Sequence, residues 1–349
     1  MGLFDDTKKR DIFRDPIVLD YDYQPKLILY RDNQQHFIAN CLKPLMNERN
    51  GRNLFIYGKP GIGKTVACRH VLKELEDDTD ILPMYINCWK KNTSHKIILE
   101  VCDYIDYKFT ANKSTEELIA GISSLLNKKP CVICLDEVDK LDNYDVIYTL
   151  LEDVFRKSII LITNNGEWLI KLDSRIKSRL NPESLEFKPY NYEETLGILK
   201  ERIGYAFNSG IFSMKALEII ARKAFELGDV RTGVYLLKEC GDLAELSGKD
   251  RIEADEANEA INKLNNFSAK KDEDLKDDLS EILGMIKINE SKSSSELFDI
   301  YGKGSYKTFK RKLDELEKNK FISIKEVNSG ANGRKYIVSS GGLKTLSEF

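Results

Sequence analysis

Short apolar runs alternate with amphipathic segments between residues 54 and 188 of the chain. The apolar runs are rich in Ile and Val and consist of "LFIYG", "MYINC", "CVICLDE" and "IILITN". Such runs are typical of buried strands, whereas the segments between them, and residues 33–47 before the first run, repeat their apolar positions at helical spacing. The alternation therefore predicts a parallel sheet that is covered by helices on both faces.

The pattern becomes helical throughout from residue 192 to about residue 264. Four amphipathic segments follow one another there: "EETLGILKERIGYAF", "SMKALEIIARKAFEL", "VRTGVYLLKECGDLAEL" and "ADEANEAINKL". They predict a small helical domain. The polar and charged residues that come next, "NNFSAKKDEDLKDD", predict a linker.

A third pattern follows the linker. Three helix-like segments precede two strand-like pieces, "ISIKEV" and "KYIVSS", which are joined by "NSGANGR". Helices followed by a hairpin with a glycine-rich tip are typical of a winged-helix domain. The predicted organisation is a sheet domain, a helical domain, a linker, a winged-helix domain and a tail, with bounds at residues 1–188, 189–266, 267–275, 276–340 and 341–349.

Charge and composition limit the kinds of partner. The chain has 54 basic and 57 acidic residues and a net charge of -3, so a nucleic-acid surface has to be a local patch. No signal-peptide pattern opens the sequence, and its apolar runs are too short to span a bilayer. We therefore expect a cytoplasmic protein that makes no contact with membranes.

A glycine-rich turn joins the first predicted strand to a predicted helix. Its residues, from Gly58 to Thr65, follow the pattern G-x-x-x-x-G-K-T. The glycines let backbone N–H groups converge on phosphates, and the N-terminus of the following helix adds its dipole. Lys64 is then expected to reach the β- and γ-phosphates, and the Thr65 hydroxyl to bind Mg²⁺. The motif predicts a site for a nucleoside triphosphate.

Two later strands supply further polar residues. "CVICLDE" delivers Asp136 to the carboxyl edge of the sheet, where it is suited to hold a metal ion. Glu137 follows it and is placed to polarise an attacking water molecule. Asn164 ends "IILITN" and either orients water near the γ-phosphate or forms part of an Asn turn.

The winged-helix segment offers a candidate DNA surface. Its third helix-like segment carries Phe309, Leu313 and Leu316 on one apolar face. The basic residues on another face are either solvated or suited to a major groove. Arg334 and Lys335 follow the hairpin tip and suit a minor groove, which favours DNA binding. The residues predicted at DNA in this domain are Ser305, Tyr306, Lys307, Thr308, Lys310, Arg311, Arg334 and Lys335.

Taken in order, these motifs resemble those of AAA+ ATPases. "GKPGIGKT" resembles Walker A, "CLDEVD" Walker B, "ITNN" sensor 1 and "GDVR" sensor 2. The chain is also similar to the archaeal replication initiators that are related to the eukaryotic origin recognition complex and its cell-division-control partner. Their N-terminal signature appears here as "IFRDPIVLDYDYQPKLILYRDNQQHFI", and their lid continues as "YNYEETLGILKERI".

The resemblance implies an α/β AAA+ phosphate-loop domain with a parallel sheet flanked by helices, an α-helical lid domain and a C-terminal winged-helix domain. It implies that Asp136 binds Mg²⁺, that Glu137 is the general base, and that Arg179 acts on the ATP of a neighbouring subunit, with Arg175 as the alternative. Relatives insert a DNA-contacting helix where this chain has Lys108 and Lys113. The residues implied at ATP or ADP are Gly58, Pro60, Gly61, Ile62, Gly63, Lys64, Thr65, Val66, Asn164, Tyr192, Arg231 and, against the adenine, Tyr23, Pro25 and Arg31.

We therefore expect a DNA replication initiator that binds double-stranded origin DNA and hydrolyses ATP slowly, so that the nucleotide acts as a switch. The implied partners are paralogous initiator subunits and the replicative helicase, and the implied location is the nucleoid within the cytoplasm. Two other classes stay open, namely a STAND-like AAA+ NTPase that regulates transcription or signalling and a clamp-loader-like remodelling subunit. The first usually carries a large repeat or sensor domain, and the second ends in a helical collar.

Overall fold

The computed structural model describes residues 12–21, 23–273, 277–289, 292–318, 321–328 and 334–340. These residues fall into two compact units. Residues 14–206 and 224–230 form the first, which we call the sheet unit. The other described residues form the second unit, which contains the C-terminal hairpin.

The sheet unit is built on five parallel strands. They are β1 (Leu54–Tyr57), β2 (Leu82–Asn87), β3 (Cys131–Asp136), β4 (Lys157–Thr163) and β5 (Glu183–Glu186), in the order β2-β3-β4-β1-β5. The first four strands are the predicted apolar runs. The fifth has the sequence "ESLE" and was not predicted, because its residues alternate between exposed and half-buried positions at an edge of the sheet.

Helices cover both faces of this sheet, as predicted. Along β1, Phe55 packs into one apolar cluster, whereas Leu54 and Ile56 pack into another on the opposite face. A strand with apolar residues on both faces is buried on both sides, which requires two covering layers. The helices of the sheet unit are α1 (Asp32–Leu42), α2 (Lys64–Asp78), α3 (Ser94–Tyr104), α4 (Thr115–Leu126), α5 (Asp145–Asp153), α6 (Trp168–Lys171), α7 (Ser174–Leu180) and α8 (Tyr192–Ala206).

Side chains block the two edges of the sheet. At the β2 edge, the Tyr104 hydroxyl accepts a hydrogen bond from the backbone N–H of Tyr85 at 3.1 Å and donates to its carbonyl oxygen at 2.9 Å. At the β5 edge, Glu186 is exposed, and Glu183 forms an ion pair with Arg52 at 3.3 Å. Unpaired edge strands invite association with other strands, and charged or occupied edges prevent it.

The second unit begins with lid-like helices. These are α9 (Met214–Leu227, of which residues 224–227 belong to the sheet unit), α10 (Val230–Leu246, whose first residue belongs to the sheet unit) and α11 (Ala254–Glu273). Residues 267–273, which we predicted as a linker, continue α11 as a helix. The segment contains no Gly or Pro, and its Ala, Lys and Glu residues favour helix formation.

The C-terminal part of the second unit has the element order of a winged helix. It contains α12 (Asp277–Ile288), β6 (Lys292–Ser293), α13 (Ser294–Tyr301), α14 (Tyr306–Lys318), β7 (Ile322–Asn328) and β8 (Arg334–Ser340). The three strands form an antiparallel sheet in the order β6-β8-β7. Phe309, Leu313 and Leu316 are buried in its core, as their spacing predicted.

No helix in the described part of the chain combines the length and the apolar character that crossing a membrane requires. The seven cysteines are buried free thiols.

The core around Phe309 gives a first testable prediction. Its ring is buried and lies 5.2 Å from that of Tyr301 and 5.6 Å from that of Phe298. Phe309→Ala should lower the free energy of unfolding by about 3–5 kcal/mol, because it removes buried area and leaves a cavity. Urea denaturation followed by circular dichroism measures this change. Ile300→Ala, at a position 46% exposed on α13, is the control and should change the value by less than about 0.5 kcal/mol.

Candidate nucleotide site and nucleic-acid surface

The glycine-rich loop between β1 and α2 has a backbone that other residues rarely adopt. Gly58, Gly61 and Gly63 have φ angles of +148°, +73° and +87°. A Cβ atom at Gly61 would lie 1.9 Å from Oδ1 of Asp229, and one at Gly58 would lie 2.3 Å from the carbonyl oxygen of Phe187. Both the backbone conformation and the close packing therefore require glycine at these positions.

Lys64 begins α2 and turns back over this loop. Its Nζ donates to the carbonyl oxygens of Gly58 and Lys59 at 2.8 and 2.7 Å, and to Oδ1 of Asn164 at 2.8 Å. Asn164 follows β4, which pairs with β1, so the sheet brings together two side chains that lie 100 positions apart. The structure thus places the predicted lysine and the predicted sensor asparagine at the same loop.

Thr65 and Asp136, the predicted metal ligands, are in direct contact. The Thr65 hydroxyl donates to Oδ2 of Asp136 at 2.6 Å, and the backbone N–H of Glu137 donates to Oδ1 at 2.9 Å. Asp136 is only 2% exposed. Both oxygens of this carboxyl group therefore face donors, and carboxylate and hydroxyl oxygens are ligands that a hard cation such as Mg²⁺ takes.

Tyr85 is a further member of this cluster that the sequence analysis missed. Its hydroxyl donates to Oδ2 of Asp136 at 2.6 Å. Burial raises the pKa of Tyr85, and the neighbouring charge of Asp136 raises it further, so the phenol remains a donor. Tyr85 pairs with Cys134 across β2 and β3, and residues two apart on a strand share a face, which brings the hydroxyl to Asp136. The strand register is the signal that would have found it.

Glu137, the predicted general base, stands directly after β3. It is half-buried and has a φ angle of +55°, a left-handed conformation that is uncommon outside glycine. Such backbone conformations concentrate at functional sites, where the surrounding structure holds them. The geometry agrees with a special position for Glu137, and its role as a base stays a prediction.

Asp139 links the segment after β3 to the end of β4. The Thr163 hydroxyl donates to its Oδ1 at 2.7 Å, and Lys140 Nζ lies 3.0 Å from its Oδ2. Burial acts to raise the pKa of Asp139, but the hydrogen bonds from Thr163 and Lys140 outweigh it, so the pKa is lowered. Asp139 was also missed, because its partners become visible only in the folded sheet.

The remaining residues predicted at the nucleotide, including Tyr23 and Pro25 at the adenine, occupy varied positions. Tyr23 is half-buried with the Arg202 guanidinium 4.8 Å from its ring centre, and Pro25 and Val66 are half-buried. The Tyr192 ring meets that of Phe225 edge to face at 6.2 Å. Their contact with a nucleotide stays a prediction. Pro60 and Ile62 lie within the loop itself, and Ile62 is buried.

The candidate arginines differ in their surroundings. Arg179 on α7 forms an ion pair with Glu152 and stacks 5.2 Å from the ring centre of Tyr148. Arg175 on the same helix pairs with Asp173 at 3.2 Å and is largely exposed. Arg231 is the second residue of α10 and is half-buried. Their action on a nucleotide stays a prediction.

The predicted DNA surface lies on and before α14. Ser305 caps this helix, since its Oγ accepts from the backbone N–H of Thr308 at 3.2 Å, and the Tyr306 hydroxyl bonds to Oγ of Ser294 at 2.8 Å. Lys307 and Arg311 are exposed, and Lys310 Nζ lies 4.7 Å from the ring centre of Tyr336. The side chains of Arg334 and Lys335, together with residues 329–333 and the predicted tail, lie outside the described residues.

The two basic residues predicted at DNA in the sheet unit have partners within the chain. Lys108 forms an exposed ion pair with Asp106 at 2.6 Å. Lys113 Nζ donates to the Tyr107 hydroxyl at 2.9 Å and lies 5.2 Å from the centre of that ring. These contacts compete with phosphate for both cations.

The lowered pKa of Asp139 predicts a stability that depends on pH. A carboxyl group with a depressed pKa in the folded protein stabilises it above the ordinary carboxyl value near pH 4, and this contribution disappears as the pH falls through the lowered pKa. Asp139→Asn should therefore flatten the loss of stability between about pH 5 and pH 2. Thr163→Val, which keeps the carboxyl group but removes its donor, should flatten it in part. Urea unfolding at a series of pH values measures the effect, and an unchanged acid limb in both variants would contradict it.

Comparison with known proteins agrees with this arrangement. A family model described as an AAA domain matches residues 47–167, and one described as the Cdc6 AAA+ ATPase-type lid domain matches residues 196–262. Among solved structures, the Aeropyrum pernix ORC1 protein in complex with DNA has a TM-score of 0.72 at 23% identity and covers 95% of this chain and 94% of its own. The Aeropyrum pernix ORC2 protein in ADPNP-ADP complexes has a TM-score of 0.66 at 18% identity, with coverages of 96% and 95%. At these identities the likeness supports the fold.

Relatives at higher identity establish the family. ORC1-type DNA replication protein 1 of Sulfolobus acidocaldarius is 31% identical over an alignment 369 positions long, which covers 97% of this chain and 92% of the relative. ORC1-type DNA replication protein 2 of Archaeoglobus fulgidus is 28% identical over 339 residues, which cover 93% and 90%. The alignment with the Sulfolobus acidocaldarius protein covers nearly the whole chain, and the chain belongs to the ORC1-type DNA replication proteins, a family of AAA+ ATPases with a Cdc6-type lid.

Proposed function

We propose that this protein is a replication initiator that binds double-stranded origin DNA and uses its ATP or ADP state to control assembly. The observation that carries the proposal is the joint presence of an intact phosphate cradle and an exposed basic helix in one ORC1-type chain. Its partners would be paralogous initiator subunits and the replicative helicase. Such a protein works in the cytoplasm, on the nucleoid.

The residues of the cradle fit an Mg²⁺–nucleotide complex. The loop has no room for a side chain at its three glycines, and the Nζ of Lys64 is held by carbonyl oxygens that a phosphate can replace. Thr65 and Asp136 would hold Mg²⁺, which supplies positive charge against the phosphate oxygens. Glu137 would accept a proton from water through its carboxylate, and Asn164 would orient that water.

The surroundings of Arg179 support slow hydrolysis. Its guanidinium is engaged by Glu152 and by the Tyr148 ring of the same chain. An arginine that acts on a neighbour's ATP has to leave these partners, so turnover would wait for assembly. The bound nucleotide then serves as a switch, whose effect equals its difference in affinity for two conformations.

The exposed face of α14 supports duplex binding. Lys307, Lys310 and Arg311 lie on this face, and the Ser305 cap fixes the start of the helix. Asp314 and Glu315 are exposed farther along, so phosphate contacts would be confined to the N-terminal part. Arg334 and Lys335 would add minor-groove contacts. The Aeropyrum pernix ORC1 protein, which has the same fold, was solved in complex with DNA.

Substitutions in the cradle test the nucleotide role. Lys64→Ala should abolish measurable ATP and ADP binding, because the loop loses its buried cation. Glu137→Gln should keep binding but lower turnover about 100-fold or more. Calorimetry and phosphate release measure the two effects, with Lys73→Ala, an exposed lysine on the same helix, as the control. Retained hydrolysis in Glu137→Gln would remove that residue from the role of base.

Footprinting on genomic DNA fragments, with ATP and with ADP, tests the DNA role. We expect protection at discrete sites, and the extent of protection should depend on the nucleotide. The slope of the logarithm of affinity against the logarithm of salt concentration should become shallower by about one in Lys307→Ala and in Arg311→Ala. Lys215→Ala, an exposed lysine on α9, makes the same charge change away from α14 and should leave the slope unchanged. Binding that ignores sequence and is unaffected by the α14 substitutions and by Arg334→Ala would refute the proposal.

A further inference from the structure

Arg31 is a buried cation behind the phosphate loop. It directly precedes α1 and is only 4% exposed. Its Nε and Nη2 donate to the carbonyl oxygen of Ile62 at 3.2 and 2.8 Å, and Nη2 also donates to that of Lys188 at 2.8 Å. One guanidinium therefore joins the N-terminal segment, the phosphate loop and the connection from β5 to α8.

Aromatic rings hold this guanidinium in place. It lies 3.8 Å from the ring centre of Tyr190 and 5.2 Å from that of Phe187. The same two residues pack against the loop glycines: a Cβ atom at Gly63 would lie 2.8 Å from the Tyr190 hydroxyl, and one at Gly58 would meet the Phe187 carbonyl. The rings and the cation form one wall against which the phosphate loop rests.

The bond to Ile62 fixes the orientation of one peptide group. The C=O and N–H of a trans peptide point in opposite directions, and the described chain contains no cis peptide. With the carbonyl of Ile62 held on Arg31, the N–H of Gly63 points away from Arg31. Rotation of this peptide would break two hydrogen bonds to a charged group, which are stronger than neutral ones.

The positive charge of Arg31 also favours the binding of an anion nearby. Among the described residues, the partners of this guanidinium are carbonyl oxygens, the aromatic rings and the Tyr190 hydroxyl, and none of them is a carboxylate. Burying a charge without an opposite charge is unfavourable, and an anion bound nearby relieves the cost. A purely structural anchor is better served by an apolar residue or a neutralised pair.

We propose that Arg31 is a positioning residue for phosphate. It holds the Ile62–Gly63 peptide so that the Gly63 N–H is directed to the phosphate side of the loop, and it adds a buried positive charge behind that loop. This inference rests on the proposed nucleotide site. It differs from the resemblance, which places Arg31 against the adenine, because the structure turns the guanidinium to the loop backbone.

The test compares a phosphate probe with a nucleotide. Displacement of a fluorescent ADP analogue gives the affinities of ADP and of inorganic pyrophosphate, which has no adenine. Arg31→Lys keeps the charge but loses the planar fork, and Arg31→Met fills a similar volume without charge. Both variants should weaken ADP and pyrophosphate alike, by about tenfold or more, the loss expected for a charged hydrogen bond. Circular dichroism and urea unfolding show whether each variant is folded. If Arg31→Lys does not fold, Arg31→Met provides the test.

Arg156→Lys is the matched control. Arg156 also donates to a backbone carbonyl, that of Asn127 at 2.6 Å, but it precedes β4 at the amino edge of the sheet, opposite the loop. It should change both affinities less than twofold. Unchanged pyrophosphate affinity in the Arg31 variants, or a loss confined to ADP, would overturn the inference. If Lys64→Ala also left ADP affinity unchanged, the nucleotide site itself would be wrong, so the two failures are distinguishable.

Discussion

The carboxylate of Asp136 is the group around which the sheet unit is organised. It is buried at the end of a central strand, where an ionised group is unfavourable unless donors surround it. Three donors from different elements meet it: the hydroxyls of Thr65 and Tyr85 and the backbone N–H of Glu137. The helix α2 that follows the phosphate loop, the edge strand β2 and the turn after β3 are therefore fixed to one point.

The rest of the site follows from the parallel arrangement. Because β1, β3 and β4 end at the same edge of the sheet, the residues that follow these strands lie close together. Lys64 meets Asn164 there, and Thr163 meets Asp139. Behind the loop, the Arg31 guanidinium and the rings of Tyr190 and Phe187 restrain the loop backbone. Preorganisation of this kind lets a loop bind anions with little rearrangement.

Sequence patterns predicted those parts of the molecule that depend on residues close together in the sequence. The apolar runs located β1 to β4, and the G-x-x-x-x-G-K-T spacing located Lys64 and Thr65. The patterns missed β5, whose polar residues suit an edge, and the helical continuation of α11. Tyr85, Asp139 and the loop contact of Arg31 depend on register or on packing between distant segments, which a single sequence does not display.

The occupied sheet edges limit how such a chain can associate with others. At β2 the Tyr104 hydroxyl already satisfies both backbone groups of Tyr85, and the β5 edge carries the exposed Glu186 and the ion pair between Glu183 and Arg52. Joining two sheets through continuous backbone pairing is disfavoured at these edges. Copies or paralogues of this chain would then meet through side-chain surfaces, whose chemistry can diverge by point substitution. Backbone pairing is much the same for every sequence, whereas side-chain surfaces differ between paralogues. Association through side chains therefore allows related initiators to discriminate between their partners.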